Sequence, residues 1–222
     1  MSVNTGRPLL ITDCDEVLLH MIKHFRDWLA EEEGVEFDLT GGEFYKSMRR
    51  IGAEAPMEHA EMWELLGRFF DTQMYRQTAI EGAVDAIAAI REHADVVVLT
   101  NLQDFRREAR VAQLLEHGLD LRVFTNQGPK GPALQAILDE YKPSRAVFID
   151  DLSQHHGSVF ETSPSVRRLH LCGEPQIAPN IKCALQLGHA HARIDDWGSA
   201  LPWLLDSLTG PIEPETKGSV IP

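Results

Sequence analysis

The stretch LLITDCDEVL, residues 9–18, decides the fold because it joins an apolar segment to two closely spaced aspartates. Leu9 to Thr12 have the character of a buried strand, and Asp13 and Asp15 follow at its carboxyl end. Two carboxylates this close repel each other unless a cation or a reacting group offsets their charge. The alternative is a solvated loop, because aspartate is a common turn residue.

The composition is that of a globular protein with one sizeable core. The 222 residues are 43% hydrophobic and 25% charged, with a net charge of -13. We expect neither a nucleic-acid nor a membrane partner, because acidic charge is repelled by phosphate backbones and anionic lipids. Residues 1–7 lack a signal core, and no apolar run is long enough to span a bilayer. Cys14, Cys172 and Cys183 show no paired or metal-type spacing, which predicts a reducing compartment and hence the cytoplasm.

Short apolar segments alternate with helical patterns along the chain. Besides residues 7–13, four segments resemble strands: DVVVLTN at 95–101, LRVFTN at 121–126, RAVFIDD at 145–151 and VRRLHLC at 166–172. Between them, one helical face is predicted from Phe105, Ala109, Ala112 and Leu115. This alternation predicts right-handed crossovers, and hence an α/β fold with a Rossmann-like, doubly wound parallel sheet.

The interval 17–80 shows helical patterns and no convincing strand, with Thr40 a plausible helix cap in the turn DLTGGEFYKSM. A helical insert directly after the first strand would lie above the carboxyl ends of the strands, where open α/β sheets bind ligands. We therefore predict a small all-helical cap at 17–80 over a core of 1–16 and 81–208. The alternative is extra helices packed on the sheet edge. Residues 209–222 are predicted to form an irregular Pro/Gly-rich tail.

Polar residues stand at the carboxyl ends of the predicted strands. They are Asp13 and Asp15 after the first strand, Thr100 and Asn101 after the second, Lys130 after the third, and Asp150 and Asp151 after the fourth. Because the carboxyl ends of parallel strands face one crevice, we expect these side chains to converge. Taken singly, Thr100 is also consistent with a helix cap and Lys130 with a solvated surface lysine. Their joint order and placement favour a common site.

At these residues the chain resembles the haloacid dehalogenase superfamily of phosphotransferases. DCDEV at 13–17 matches the first motif of that superfamily, and Thr100 matches the second. Lys130 matches the third motif, and VFIDD at 147–151 matches the fourth. The resemblance covers about residues 7–172, and many members carry a helical cap between the first two motifs. The motifs are specific for the superfamily and poorly specific for substrate.

The resemblance implies a phosphatase that hydrolyses a small phosphorylated molecule through an aspartyl-phosphate. It makes Asp13 the nucleophile. It makes Asp15 the acid that protonates the leaving oxygen and then the base that activates water. Thr100 and Asn101 would bind the phosphate, and Lys130 would offset the charge of nucleophile and phosphate together.

The resemblance also implies a bound Mg²⁺, because two anions cannot approach each other without a cation. Mg²⁺ prefers oxygen ligands and retains waters that a phosphate can displace. Its ligands would be Asp13, the backbone carbonyl of Asp15, Asp150 and Asp151. Members that cleave carbon–halogen bonds generally lack the second acid, so Asp15 favours phosphate chemistry.

Several residues depart from the superfamily pattern or imitate it. Glu16 stands where many members have glycine, so either the turn differs or the side chain points towards the cap. His155 and His156 would contact substrate or support the metal shell, or else be surface histidines, which is the favoured interpretation. The acidic pair at 195–196 precedes a helical pattern and is interpreted as a helix cap. No redox role is expected for Cys14.

Five arginines, Arg49, Arg50, Arg68, Arg106 and Arg107, would either meet a distal anion of the substrate or be solvated.

Three other functions share part of the pattern of motif residues. A phosphomutase or phosphotransferase uses the same first half-reaction and stays open. A signalling receiver is disfavoured because its lysine comes last, and a member that only binds is disfavoured because every motif residue is present. Substrate identity and oligomeric state are left open.

Overall fold

The computed structural model describes residues 6–38 and 46–211. The strands are β1 Leu9–Thr12, β2 Val35–Phe37, β3 Met48–Arg50, β4 Asp95–Thr100, β5 Arg122–Thr125, β6 Ala146–Asp150, β7 Arg167–His170 and β8 Ala192–Arg193. The α-helices are α1 Ile22–Trp28, α2 His59–Thr72, α3 Ala83–Arg91, α4 Arg107–Glu116, α5 Gly131–Tyr141, α6 Ser153–Thr162 and α7 Trp197–Thr209. Shorter turns are a π-helix at Leu29–Glu33 and 3₁₀-helices at Met74–Arg76, Asp104–Arg106 and Ala178–Asn180.

The large sheet has six parallel strands in the order β5-β4-β1-β6-β7-β8. Side chains of successive β1 residues enter opposite layers: Leu10 packs in the cluster that includes Val98, whereas Ile11 packs in the cluster that includes Val97. Helices therefore cover both faces, and the predicted doubly wound parallel sheet is confirmed. The sixth strand, β8, was not predicted, because two residues are too short to show a periodic pattern.

The first strand lies where the strand order reverses direction. The sheet grows from β1 through β4 to one edge and through β6 to the other. Open α/β sheets bind ligands beyond the carboxyl ends of the strands at such a switch point. The residues that follow β1, β4 and β6 therefore surround one crevice.

The segment predicted as an all-helical cap contains a second, two-stranded sheet, so that prediction is wrong. Strands β2 and β3 pair antiparallel, with Val35 opposite Arg50 and Phe37 opposite Met48. Strands of three residues are too short to interrupt a helical pattern in the sequence. Thr40 and most of its turn lie outside the described residues.

This segment has an apolar cluster of its own. Phe25, Trp28 and Phe69 form its centre, and the ring centroids of Phe25 and Phe69 are 5.3 Å apart. Leu102, from the loop after β4, joins this cluster. By contrast, Leu18 and the residues on either side of it belong to a core cluster of the large sheet. The division at 17 and 80 stays a prediction.

The final helix α7 includes Thr209, so the tail begins later than predicted, and residues 212–222 lie outside the described part. Among the described residues, none of the helices combines the length and the apolar character needed to span a bilayer. The expectations of a cytoplasmic location and of no nucleic-acid or membrane partner stay predictions.

Candidate active site

The buried ammonium of Lys130 joins two of the predicted acids. Lys130 directly precedes α5, and its Nζ lies 2.8 Å from Asp13 Oδ1 and 2.7 Å from Asp150 Oδ2. Although burial lowers the pKa of a lysine, the charges of Asp13 and Asp150 raise the pKa of Lys130 above its ordinary value. The alternative of a solvated surface lysine is excluded, because this side chain is 1% exposed.

Asp13 follows β1 and is almost fully buried. Its Oδ1 accepts a hydrogen bond from the Cys14 N–H at 2.7 Å in addition to its contact with Lys130. Burial raises the pKa of Asp13 to about 7, Lys130 opposes the rise, and the charges of Asp150 and Asp15 add to it. Both contacts of the carboxylate use the same oxygen.

Asp150 is the last residue of β6 and Asp151 follows it. Both are buried. Burial opposes ionisation of Asp150, yet the charge of Lys130 lowers the pKa of Asp150 below its ordinary value. For Asp151, burial and the charges of Asp150 and Asp13 outweigh the opposing charge of Lys130 and raise the pKa well above its ordinary value. One carboxylate oxygen from each of Asp13, Asp150 and Asp151 lies within 4.8 Å of the others.

This acidic cluster, defined as Asp13, Asp150 and Asp151, fits a hard divalent cation. The three carboxylates are buried, and the ammonium of Lys130 contacts two of them. Burial is the main cause of the raised pKa values of Asp13 and Asp151, and the charges of neighbouring acids add to both shifts. Carboxylate oxygens at this spacing are ligands that Mg²⁺ accepts.

Thr100 is the last residue of β4, which lies beside β1 in the sheet, and Asn101 follows it. Thr100 is 1% exposed, whereas Asn101 is exposed. The Asn101 amide donates to the Gly128 carbonyl at 3.0 Å, and its Oδ1 accepts from Asn126 at 2.9 Å. Asn101 therefore links the loops after β4 and β5, and the phosphate-binding roles of Thr100 and Asn101 stay predictions.

Solved structures with a similar fold include the three described next, whereas no protein-family model and no curated protein matches the chain. A haloacid dehalogenase family hydrolase from Deinococcus radiodurans R1, crystallised with phosphate and sodium, has a TM-score of 0.64 at 18% identity, over 95% of this chain and 100% of that one. A predicted phosphoglycolate phosphatase from Haemophilus somnus 129pt has a TM-score of 0.62 at 10% identity, over 88% and 97%. A putative beta-phosphoglucomutase from Thermotoga maritima has a TM-score of 0.60 at 16% identity, over 90% and 100%.

The chain has the fold of the haloacid dehalogenase-like hydrolases. Within this haloacid dehalogenase-like fold, the structure brings Asp13, Lys130, Asp150 and Asp151 into one cluster, as the sequence predicts. The side chain of Asp15 lies outside that cluster.

Asp15 is held by a buried arginine that sequence analysis missed. Arg110 Nη2 lies 2.9 Å from Asp15 Oδ1 and 3.0 Å from Oδ2, and Gln77 Nε2 donates to Oδ1 at 2.8 Å. The other terminal nitrogen of Arg110 donates to Gln113 Oε1 at 2.9 Å and to Cys14 Sγ at 3.2 Å. Burial opposes the charge of Arg110, but Asp15 raises the pKa of its guanidinium.

Helix α4 therefore packs a largely polar face against the interior of the protein. Its buried residues are Arg110, Gln113 and Leu114, and the predicted apolar face of Phe105, Ala109, Ala112 and Leu115 is exposed. That helical-face prediction is wrong. The one local signal was the spacing of Arg110 and Gln113, which places both on one helical face.

His155 and His156 are buried, so their interpretation as surface histidines is wrong. The His156 Nε2 donates to the Asp150 carbonyl at 3.0 Å. Burial lowers the pKa of both histidines, that of His156 to about 4. At neutral pH His156 is therefore an uncharged support for the backbone of Asp150.

The backbone conformation and the side-chain contacts of Glu16 decide the question that the sequence left open at this position. Its φ is +60°, the left-handed conformation that glycine adopts most easily and that is strained for glutamate. Its side chain is buried and its Oε1 accepts from the N–H groups of Met21 and Ile22 at 2.8 and 2.6 Å. The carboxylate therefore points to the start of α1.

The acidic pair at 195–196 caps a helix, as predicted: Asp196 Oδ1 accepts from the Ser199 N–H at 2.8 Å at the start of α7. Cys14, Cys172 and Cys183 are free thiols, and burial raises the pKa of Cys14.

Four of the five candidate arginines form ion pairs. The pairs are Arg50 with Glu61, Arg68 with Glu33, Arg106 with Asp71, and Arg107 with Asp104. Arg49 is exposed on β3. Substrate contacts by these arginines stay a prediction.

Proposed function

We propose that the protein is a Mg²⁺-dependent phosphatase that hydrolyses a small phosphomonoester through an aspartyl-phosphate on Asp13. The observation that carries the proposal is the bridge from Lys130 to Asp13 and Asp150 in a haloacid dehalogenase-like fold. A buried lysine fixed between two carboxylates at a sheet switch point orients a nucleophilic carboxylate and offsets part of the negative charge where ligands bind.

Asp13 attacks the phosphorus atom with the carboxylate oxygen that Lys130 and Cys14 leave uncontacted. The new bond joins that oxygen to phosphorus as the bond to the leaving oxygen breaks. Lys130 holds the nucleophile in one orientation and offsets charge as the phosphate approaches. A single orientation matters because phosphoryl transfer depends mainly on positioning and charge stabilisation.

The acidic cluster supplies the second requirement, which is tolerance of a dianionic substrate. Asp13, Asp150, Asp151 and the backbone carbonyl of Asp15 would hold Mg²⁺, and the ion would supply positive charge to offset the repulsion between these carboxylates and the phosphate. His156 and the Leu152 N–H, which donates to Asp150 Oδ1 at 2.9 Å, hold Asp150 in place. Such supporting contacts fix the orientation of a ligand before the ion binds.

Asp15 protonates the leaving oxygen and then accepts a proton from the attacking water. Its side chain is 17% exposed whereas that of Arg110 is fully buried, so the carboxylate is the member of the pair that substrate and water can reach. Arg110 and Gln77 orient it from the interior. Arg110 is a positioning residue in this scheme.

A phosphomutase is the second candidate, because the fold also matches a putative beta-phosphoglucomutase. The first half-reaction on Asp13 is the same. The acceptor differs: water in a phosphatase, a second hydroxyl group in a mutase.

A screen of phosphorylated metabolites, run with Mg²⁺ and with chelator, tests the proposal. The wild type is expected to release inorganic phosphate without any added acceptor, and only with Mg²⁺. Asp13→Asn should abolish release, whereas Asp120→Asn, at an exposed aspartate, should retain it. Full metal-dependent turnover by Asp13→Asn would refute the nucleophile, and turnover only with an acceptor sugar would identify a mutase.

A further inference from the structure

A second group of metal-ligand side chains lies beside the turn that follows β1. Glu16, His20 and Glu174 each offer one ligand atom, and these atoms all lie within 4.8 Å of one another. Glu16 and Glu174 are buried, and the side chain of His20 is 17% exposed. The residues come from the β1 turn, the segment before α1 and the loop after β7, so the fold assembles them from three places.

Each carboxylate in this group is already fixed through one oxygen. Glu16 Oε1 accepts from the N–H groups of Met21 and Ile22, and Glu174 Oε1 accepts from the Gln176 N–H at 3.0 Å. This leaves Oε2 of both residues to face a ligand. Backbone contacts of this kind hold metal ligands in position before an ion binds.

One buried oxygen of this group lacks a hydrogen-bond partner. Within the described residues, Glu16 Oε2 is buried and no donor reaches it. His20 Nδ1 does lie 3.1 Å from Glu174 Oε2, but a proton shared by these two leaves Glu16 Oε2 unsatisfied. A buried, unpaired carboxylate oxygen is costly, and a cation placed among the three atoms satisfies all of them.

We propose that Glu16, His20 and Glu174 form a second divalent-cation site, separate from the acidic cluster and independent of the proposed phosphatase activity. Two carboxylates and one imidazole are typical ligands of Zn²⁺ and related transition ions, whereas Mg²⁺ favours oxygen ligands alone. Three protein ligands leave a coordination position for water, and the partial exposure of His20 provides access. The bound ion ties the start of α1 to the loop after β7, at the edge of the crevice.

Zn²⁺ binding to the full chain tests this site. After treatment with chelator, the protein is titrated with Zn²⁺ by calorimetry, in the wild type and in the His20→Asn, Glu174→Gln and Asp151→Asn variants. We expect one site that survives in Asp151→Asn and is weakened at least tenfold in His20→Asn and Glu174→Gln. His24→Asn, four residues further along the chain in α1, is the matched control and should bind as the wild type does.

A crystal of the Zn²⁺-soaked wild type, with anomalous diffraction at the zinc edge, gives an answer that does not depend on the folding of any variant. The expected peak lies between Glu16, His20 and Glu174. No peak there, or a single site that Asp151→Asn removes and His20→Asn keeps, would overturn the proposal. The latter result would mean that the ion occupies the acidic cluster instead.

Discussion

Arg110 Nη2 lies 2.9 Å from one carboxylate oxygen of Asp15 and 3.0 Å from the other. This two-oxygen contact joins a fully buried guanidinium to the residue that we assign as acid and base. Burying a charge is expensive unless its partner is well placed, so the pair links the stability of α4 to the geometry of the crevice.

Replacement of Arg110 should therefore lower both stability and activity. We expect Arg110→Met to reduce the free energy of unfolding by roughly 3 kcal/mol, because Asp15 is left without its buried partner. The double variant with Asp15→Asn should lose less than the sum of the single variants, with a coupling of at least about 1 kcal/mol. Urea unfolding measures all of these values. Arg107→Met, at an exposed position on the same helix, should change stability by less than about 0.5 kcal/mol, and strict additivity of Arg110 and Asp15 would contradict the coupling.

Removal of the bridge made by Lys130 is predicted to invert the pH dependence of folding stability. In Lys130→Met, buried Asp13 and Asp150 lose their counter-charge, so the already raised pKa of Asp13 rises further and the pKa of Asp150 rises above its unfolded value. The folded state then binds protons more readily than the unfolded state, and stability increases as the pH falls from 7 towards 5. We expect a loss of roughly 3–5 kcal/mol at pH 7 that partly recovers at pH 5.

Chemical denaturation at both pH values measures this recovery. Lys182→Met, at an exposed lysine, provides the control and should follow the wild type. An equal deficit at pH 7 and pH 5 would show that Lys130 does not compensate these carboxylates.

Burial of His156 predicts loss of stability on acidification. Its pKa is lowered from 6.5 to about 4. Between pH 6.5 and pH 4 the unfolded state therefore binds a proton that the folded state does not bind. Each pH unit in this window costs about 1.4 kcal/mol, and the full contribution is roughly 3 kcal/mol. His156→Gln retains a donor for the Asp150 carbonyl and should flatten the pH dependence of unfolding between pH 6.5 and pH 4. His93→Gln, at an exposed histidine, should not, and identical profiles for both variants would refute the assignment.

The sequence predicted the parts of the fold in which local pattern and burial agree. The run Val96, Val97 and Val98 fills both faces of the sheet, and a run of that kind is visible without any partner strand. Strands β2, β3 and β8 were missed because two or three residues carry no measurable period.

The site was predicted where its residues stand at strand ends, and missed where a distant contact decides. Arg110 is buried because of Asp15, which is 95 positions away in the chain, and no local pattern encodes that pair. His156 is buried between Phe148 and His170, with ring centroids 5.4 Å from each, through packing of three separate elements. Glu16 shows the same division. Glycine at this position in many members of the superfamily is consistent with a left-handed backbone, but the orientation of the Glu16 carboxylate depends on its contacts with α1.

The proposed reaction requires that Asp13 becomes phosphorylated during turnover. Peptide mass spectrometry detects this step in protein that is mixed with Mg²⁺ and a phosphomonoester that it hydrolyses, then quenched in acid to preserve the acyl phosphate. We expect one added phosphoryl group on the peptide that contains Asp13, absent in Asp13→Asn and absent when chelator is present. A phosphoryl group on any other residue, or turnover with no covalent intermediate on Asp13 under single-turnover conditions, would contradict it.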